Sequence, residues 1–264
     1  MKSKLKRLKG VEILPSLLTL GNLLSGFGAL YYIMKAESDY GTAAWLIFLA
    51  MAFDMLDGKI ARYTKAVSNF GVQLDSLADL VSFGVTPALL MLKIVHTYHS
   101  NIPIRFVWVV AAFYVVCAAL RLARFNVETT ANEEEHQYFF GLPTPGAAAL
   151  LASIVAVYTD PEYSKYKIGV IISVMPFLTI GLAGLMISRF RYAHFLNRFL
   201  RVRPFIKLVE IILFAFLISV FHLPITMSLI FLAYVLSGPI NYFRQKIFFR
   251  QKVTTLVEYA NDKQ

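Results

Sequence analysis

Apolar residues along this 264-residue chain gather in long runs and do not keep the two-residue alternation of a half-buried strand. Each run is about 17–24 residues long, the length a helix needs to cross the hydrocarbon core of a bilayer. Lys, Arg, Pro, Gly or Asp bound the runs. The pattern predicts eight spans, at 11–34, 41–57, 74–96, 104–123, 143–159, 168–188, 205–221 and 224–243. The expected architecture is an all-α integral membrane protein of about eight transmembrane helices. A basic surface segment at 1–10 precedes one membrane domain over 11–243, and a polar tail fills 244–264. No loop is long enough for a soluble domain, the longest being that at 124–142. The first run ends in Tyr31-Tyr32 without a small-residue cleavage site, so it is expected to stay as a span.

Composition agrees with a lipid solvent: 58% of residues are apolar, against about 45–50% in soluble domains. The cations add an orientation. Eight spans put both termini on one side, together with Lys59, Arg62, Lys65, Arg121, Arg124 and the basic residues of 189–207 and 244–263. Only Lys35, Lys93, Arg105, Lys165 and Lys167 fall on the other side. Because Lys and Arg in short flanking loops stay inside, the termini are expected on the cytoplasmic face of the cell (inner) membrane. Such cations attract anionic headgroups at about 1 kcal/mol each, which accounts for the net charge of +10. Nucleic acid is not an expected partner. The single Cys117 lies within an apolar run and is expected to pack there.

Against this apolar background the acids stand out. Asp54 and Asp57 end the second span, and Asp75 and Asp79 open the third. An aspartate inside a membrane helix costs on the order of 2.5–3.5 kcal/mol on insertion scales, so four require compensation. At about 100° per residue, Asp54, Asp57, Gly58 and Ala61 share one helix face. Gly71, Asp75 and Asp79 form a stripe on the next. Four carboxylates brought together repel unless cations lie between them, and all-oxygen ligation suits Mg²⁺, Mn²⁺ or Ca²⁺. Gly58 and Ala61 leave room for a diphosphate to approach, and Arg62 and Lys65 can neutralise phosphate oxygens. The expected chemistry is metal-assisted transfer of a phosphoryl-linked lipid group, with Asp54, Asp57, Asp75 and Asp79 holding the metal.

The run Asp54-x2-Asp57-Gly58-x2-Ala61-Arg62-x8-Gly71-x3-Asp75-x3-Asp79 resembles the complete signature of the CDP-alcohol phosphatidyltransferases. Residues 71–87, with Leu14 to Gly26, Arg121 to Asn126 and Gly141 to Pro145, resemble its phosphatidylserine synthase branch. The resemblance implies a six-helix catalytic core, here with two further C-terminal helices, and a homodimer. It implies reaction of CDP-diacylglycerol with L-serine to give phosphatidylserine and CMP. It further implies that Asp54, Asp57 and Asp75 bind metal, that Asp79 is both near the metals and the general base, and that Gly58, Arg62 and Ser68 help hold the CDP-lipid.

Two pockets are read from the residues themselves. Thr19 and Asn22, polar within the first span, could reach cytosine or ribose, or bond neighbouring helices. Arg121 and Arg124, three apart at a cytoplasmic helix end, could form a cationic fork for the serine carboxylate, with Asn126 orienting the substrate; alternatively the arginines only anchor their span. Absence of a His-x-Lys pair with a following Asp favours direct displacement over a covalent histidine route. Two alternatives stand beside the serine reading. Another family member would use glycerol 3-phosphate or inositol phosphate as acceptor. A divalent-cation transporter would place its acids nearer the midplane, away from cations such as Arg62 and Lys65.

Overall fold

The computed structural model describes residues 2–64, 68–98, 101–131, 138–162, 169–193, 222–242 and 244. Seven helical stretches dominate them. α1 covers Lys2–Met34, α2 Tyr40–Thr64 and α3 Asn69–Asp79. A π-helical turn, Leu80–Val85, joins α3 without a break to α4, Thr86–Tyr98. α5 (Ile104–Ala131), α6 (Thr144–Thr159) and α7 (Gly169–Ile187) follow, and α8 runs His222–Tyr242. Two three-residue strands, β1 (Tyr138–Phe140) and β2 (Arg191–Ala193), pair antiparallel, with Phe139 opposite Tyr192.

Among the described residues, five helical segments are long and apolar enough to cross a membrane: Ser16–Met34, Asn69–Tyr98, Ile104–Val127, Val170–Ile187 and His222–Tyr242. α2 has the length for crossing but ends in its charged turns, and α6 is shorter. The protein is a helical, multi-pass integral membrane protein with one short strand pair among the described residues. Its surface is inverted relative to a soluble fold: Leu17, Leu24, Phe27 and Tyr31 form an exposed apolar stripe along α1, and Trp108, Val109, Phe113, Val116 and Leu120 do so on α5. Such stripes face lipid. The expected span 205–221 and all of the expected tail 244–264 beyond residue 244 lie outside the described residues.

Helix ends differ from the apolar runs that announced them. α2 continues through Thr64 and α5 through Ala131, while α3 opens at Asn69. Hydropathy marks where lipid ends, whereas backbone hydrogen bonding carries helices onward into water. The expected loop at 124–142 is therefore largely replaced by the last turns of α5 and by β1.

α6 forms the centre. Ala147, Ala148, Ala149, Leu150, Leu151, Ala152 and Val155 are all buried, and its small side chains let other helices approach closely. Cys117 is buried in the same core, as its apolar setting predicts. Gly141 makes the turn from β1 toward α6 at φ +84°, where its N–H donates to Phe190 O at 2.9 Å. A β-carbon there would also strike Met186 O.

α2 starts on a side-chain cap. Asp39 accepts from the Thr42 N–H at 2.9 Å and the Thr42 hydroxyl at 2.6 Å. The hydroxyl above all, then the N–H, holds the Asp39 carboxyl below its ordinary value. Asp39→Ala is expected to destabilise the detergent-purified protein by about 1 kcal/mol. A depressed folded pKa stabilises fully above the unfolded value and loses that contribution as pH falls through the folded one. The gap between wild type and variant should thus be constant near neutrality and close below about pH 4. Thermal unfolding across that range checks it; a gap that persists in acid would assign the loss to something other than the carboxylate.

Candidate active site

The acids of α2 and α3 meet at one end of the bundle. Asp54, Asp57 and Asp75 each offer a carboxylate oxygen, and the three oxygens lie within 4.8 Å of one another. This juxtaposition follows from helical spacing on two neighbouring helices, as the sequence pattern predicts. Asp57 and Asp79 are buried, and Asp54 and Asp75 partly so. Asp79 stands beside the group, within electrostatic reach of Asp54 and Asp75.

α1 supplies the hydrogen bonds that hold two of the four. The Thr19 hydroxyl donates to Asp57 Oδ2 at 2.9 Å, and the Asn22 amide donates from Nδ2 to Asp79 Oδ1 at 3.0 Å. One turn apart on α1, these residues each reach one of the two acid-bearing helices. Of the two roles open to them, bonding to neighbouring helices is the one this geometry displays, through the carboxylates of Asp57 and Asp79. Asp75 Oδ1 is buried and accepts no hydrogen bond among the described residues. A buried carboxylate oxygen without a donor is a costly arrangement that a cation relieves.

The donor set fits a divalent metal. All three groups are hard oxygen ligands of the kind Mg²⁺, Mn²⁺ or Ca²⁺ prefers, and their oxygens converge within 4.8 Å. Asp54, Asp57 and Asp75 can therefore hold a metal.

Around the acids the face is open where the sequence predicts it. Among the described residues, a β-carbon at Gly58 would meet nothing within 4 Å. Ala61 lies one turn further along α2. Ser68 caps α3, its hydroxyl accepting from Gly71 N–H at 3.0 Å, so both residues form the opening turn of that helix. The Arg62 side chain and Lys65 lie outside the described residues.

Arg121 on α5 faces the cluster, within electrostatic reach of Asp79 and Asp54, and its Nη1 donates to the buried Thr144 hydroxyl at 2.9 Å. Its guanidinium also lies over the Phe125 ring, 5.7 Å from the centroid. Arg124 Nη1 instead donates to Ile187 O at 3.2 Å, at the end of α7. Asn126 pairs with Ser76 on α3, Nδ2 donating to the hydroxyl oxygen at 2.9 Å. Thr144 and Ser76 thus anchor two residues of the expected serine pocket, and neither was singled out from the sequence. Their signal was available: a hydroxyl at a helix start and another between two of the signature acids.

A family model for CDP-alcohol phosphatidyltransferase matches residues 12–187. The chain is 32% identical over 203 residues to a CDP-diacylglycerol–serine O-phosphatidyltransferase of Helicobacter pylori, covering 75% of this chain and 81% of that protein. It is 35% identical over 199 residues to the enzyme of the same name from Methanocaldococcus jannaschii, covering 75% and 83%. To an archaetidylserine synthase of Methanothermobacter thermautotrophicus it is 34% identical over 190 residues, covering 71% and 72%. With the acid constellation intact and the match extending from α1 through α7, the chain belongs to the CDP-alcohol phosphatidyltransferase family.

Proposed function

We propose that the chain transfers the phosphatidyl group of CDP-diacylglycerol to L-serine, releasing CMP, with its reacting groups and both termini on the cytoplasmic face of the membrane. The observation that carries the chemistry is the set of carboxylate oxygens from Asp54, Asp57 and Asp75 within 4.8 Å, with Asp79 alongside. The acceptor assignment is supported by the relatives. Those from Helicobacter and Methanocaldococcus are named for serine, and the Methanothermobacter relative joins serine to an archaeal lipid. The lipid differs among them while serine does not.

Asp54, Asp57 and Asp75 would hold Mg²⁺ or Mn²⁺, or Ca²⁺ at one position. A metal bound there supplies charge neutralisation for the diphosphate and for CMP as it departs. Gly58 and Ala61 keep the α2 face open to the CDP-lipid, whose phosphate oxygens Arg62 and Lys65 neutralise, with Ser68 and Gly71 lining the start of α3. Thr19 and Asn22 act on this substrate through the carboxylates they bind. Asp79 takes the serine hydroxyl proton as the serine oxygen attacks the lipid-side phosphorus in line. One P–O bond forms, the P–O bond to CMP breaks, and CMP leaves as an anion that needs no acid. Arg121, facing Asp79, receives the serine carboxylate, with Arg124 and Asn126 extending that side. Family membership also supports a homodimer.

The test is acceptor-dependent CMP release by purified protein in detergent, with CDP-diacylglycerol and Mn²⁺ or Mg²⁺. Serine, glycerol 3-phosphate and inositol phosphate are compared. Release is expected with serine alone and is abolished by chelator. Release with a phosphorylated alcohol would keep the metal site and change the acceptor, and no release with any acceptor from folded protein would return attention to cation transport.

A further inference from the structure

The sequence leaves Asn22 either a nucleotide contact or a bond to a neighbouring helix, and the bond is present. Asn22 is fully buried, and its amide Nδ2–H is spent on Asp79 Oδ1 at 3.0 Å. Its backbone carbonyl is spent too, accepting from the Ser82 hydroxyl at 3.0 Å. Ser82 belongs to the π-helical turn that begins immediately after Asp79. One turn along α1, Gly26 O accepts from the Thr86 hydroxyl at 3.2 Å, where the π turn ends. Between these two bonds α1 presses so close that a β-carbon on Gly26 would strike the Ser82 side chain and backbone.

A π turn loosens regular helix bonding and is marginal by itself. Here its polar groups are tied down: the single Thr86 O–H is shared between Gly26 O and, at 2.9 Å, Val81 O, and Tyr114 on α5 donates to Phe83 O at 3.2 Å. The irregular turn that sets the direction of Asp79 is therefore fastened to α1 by Asn22 and Gly26, and Asn22 alone grips both the turn and the carboxylate.

We propose that Asn22 is a positioning residue for Asp79. With Oδ1 occupied by the Asn22 amide, Oδ2 is the oxygen presented to the acceptor hydroxyl, and the clamp through Ser82 fixes its direction. The inference rests on Asp79 being the proton acceptor proposed above. Asn22 itself touches neither substrate; it selects which carboxylate oxygen receives the proton when the acceptor oxygen bonds to phosphorus.

The experiment measures kcat and both KM values for the full chain in detergent, with thermal unfolding of each variant. Asn22→Leu keeps the branched shape and removes the donor without adding an acid beside Asp79, whereas Asn22→Gln keeps a donor on a longer arm. Asn22→Leu is expected to lower kcat about 10–100-fold, within what a positioned base contributes, with both KM values within about twofold of wild type. Asn22→Gln should recover part of that loss. Ser82→Ala, which loosens the clamp without touching the amide, is expected to lower kcat by about 3–10-fold with both KM values unchanged, and serves if the Asn22 variants fail to fold. An active Asn22→Leu would reduce the residue to packing. A raised KM for CDP-diacylglycerol at unchanged kcat would make it a nucleotide contact, and an unaffected Ser82→Ala would remove the clamp. Wild type in the same assay, with each acceptor, reports separately on the proposed function, and the variants are read with whichever acceptor turns over.

Discussion

Asp79→Asn is expected to lower kcat by about 10²–10⁴-fold, the range a general base contributes, while the protein remains folded. The substitution is isosteric, and its amide oxygen can still accept from the Asn22 Nδ2–H that now bonds Asp79 Oδ1. The neighbours of the carboxylate therefore keep their contacts. What disappears is basicity, because an amide cannot take the acceptor's hydroxyl proton. The three carboxylates gathered within 4.8 Å do not include Asp79. Metal-induced stabilisation should consequently survive in the variant, separating loss of the base from loss of the ion. Turnover at saturating substrates and thermal unfolding with and without Mn²⁺ provide both readings. A variant retaining more than about a tenth of wild-type kcat would place the base elsewhere.

The proposed division of labour between three ligands and one base was only partly legible in the sequence. Spacing was enough to put Asp54 with Asp57 and Asp75 with Asp79 on facing helices, because helical periodicity acts directly on residue number. It was also enough to expect an open face at Gly58, where a β-carbon would meet nothing within 4 Å among the described residues. Periodicity does not say which polar residue from a third helix meets which acid. Thr19 and Asn22 could be recognised as buried polar residues in need of partners, but their pairing with Asp57 and Asp79 depends on how α1 crosses α2 and α3. The π turn had no signature either. It rests on Ser82, Thr86 and Tyr114, distant in sequence from the carbonyls of Asn22, Gly26 and Phe83 that accept their hydroxyls. The β1–β2 ribbon, three residues on each side, is too short to display a strand period.

The same geometry gives Asp75→Asn opposite effects on activity and on metal-free stability. Asp57 has the Thr19 hydroxyl and Asp79 has the Asn22 amide, but Asp75 Oδ1 is buried with no donor among the described residues. Of these three carboxylates it depends most on a cation. Without metal, its charge lies against Asp57 in a poorly solvated site, and like charges so placed destabilise the fold. Asparagine removes that repulsion at almost constant volume. The metal-free variant is therefore expected to unfold at or above the wild-type temperature. A ligand bound only by the folded state stabilises it by about 2.7 kcal/mol at one hundred times its Kd, so wild type should gain stability steadily as Mn²⁺ is raised. Asp75→Asn should gain little over the same range, and its CMP release should fall at least about 10³-fold through loss of charge stabilisation at the diphosphate. Unfolding curves recorded against Mn²⁺ concentration, starting from chelator, test both signs. Equal gains in the two proteins would move the metal away from Asp75, whereas a metal-free variant much less stable than wild type would mean that this carboxylate is held by the protein and does not require the ion.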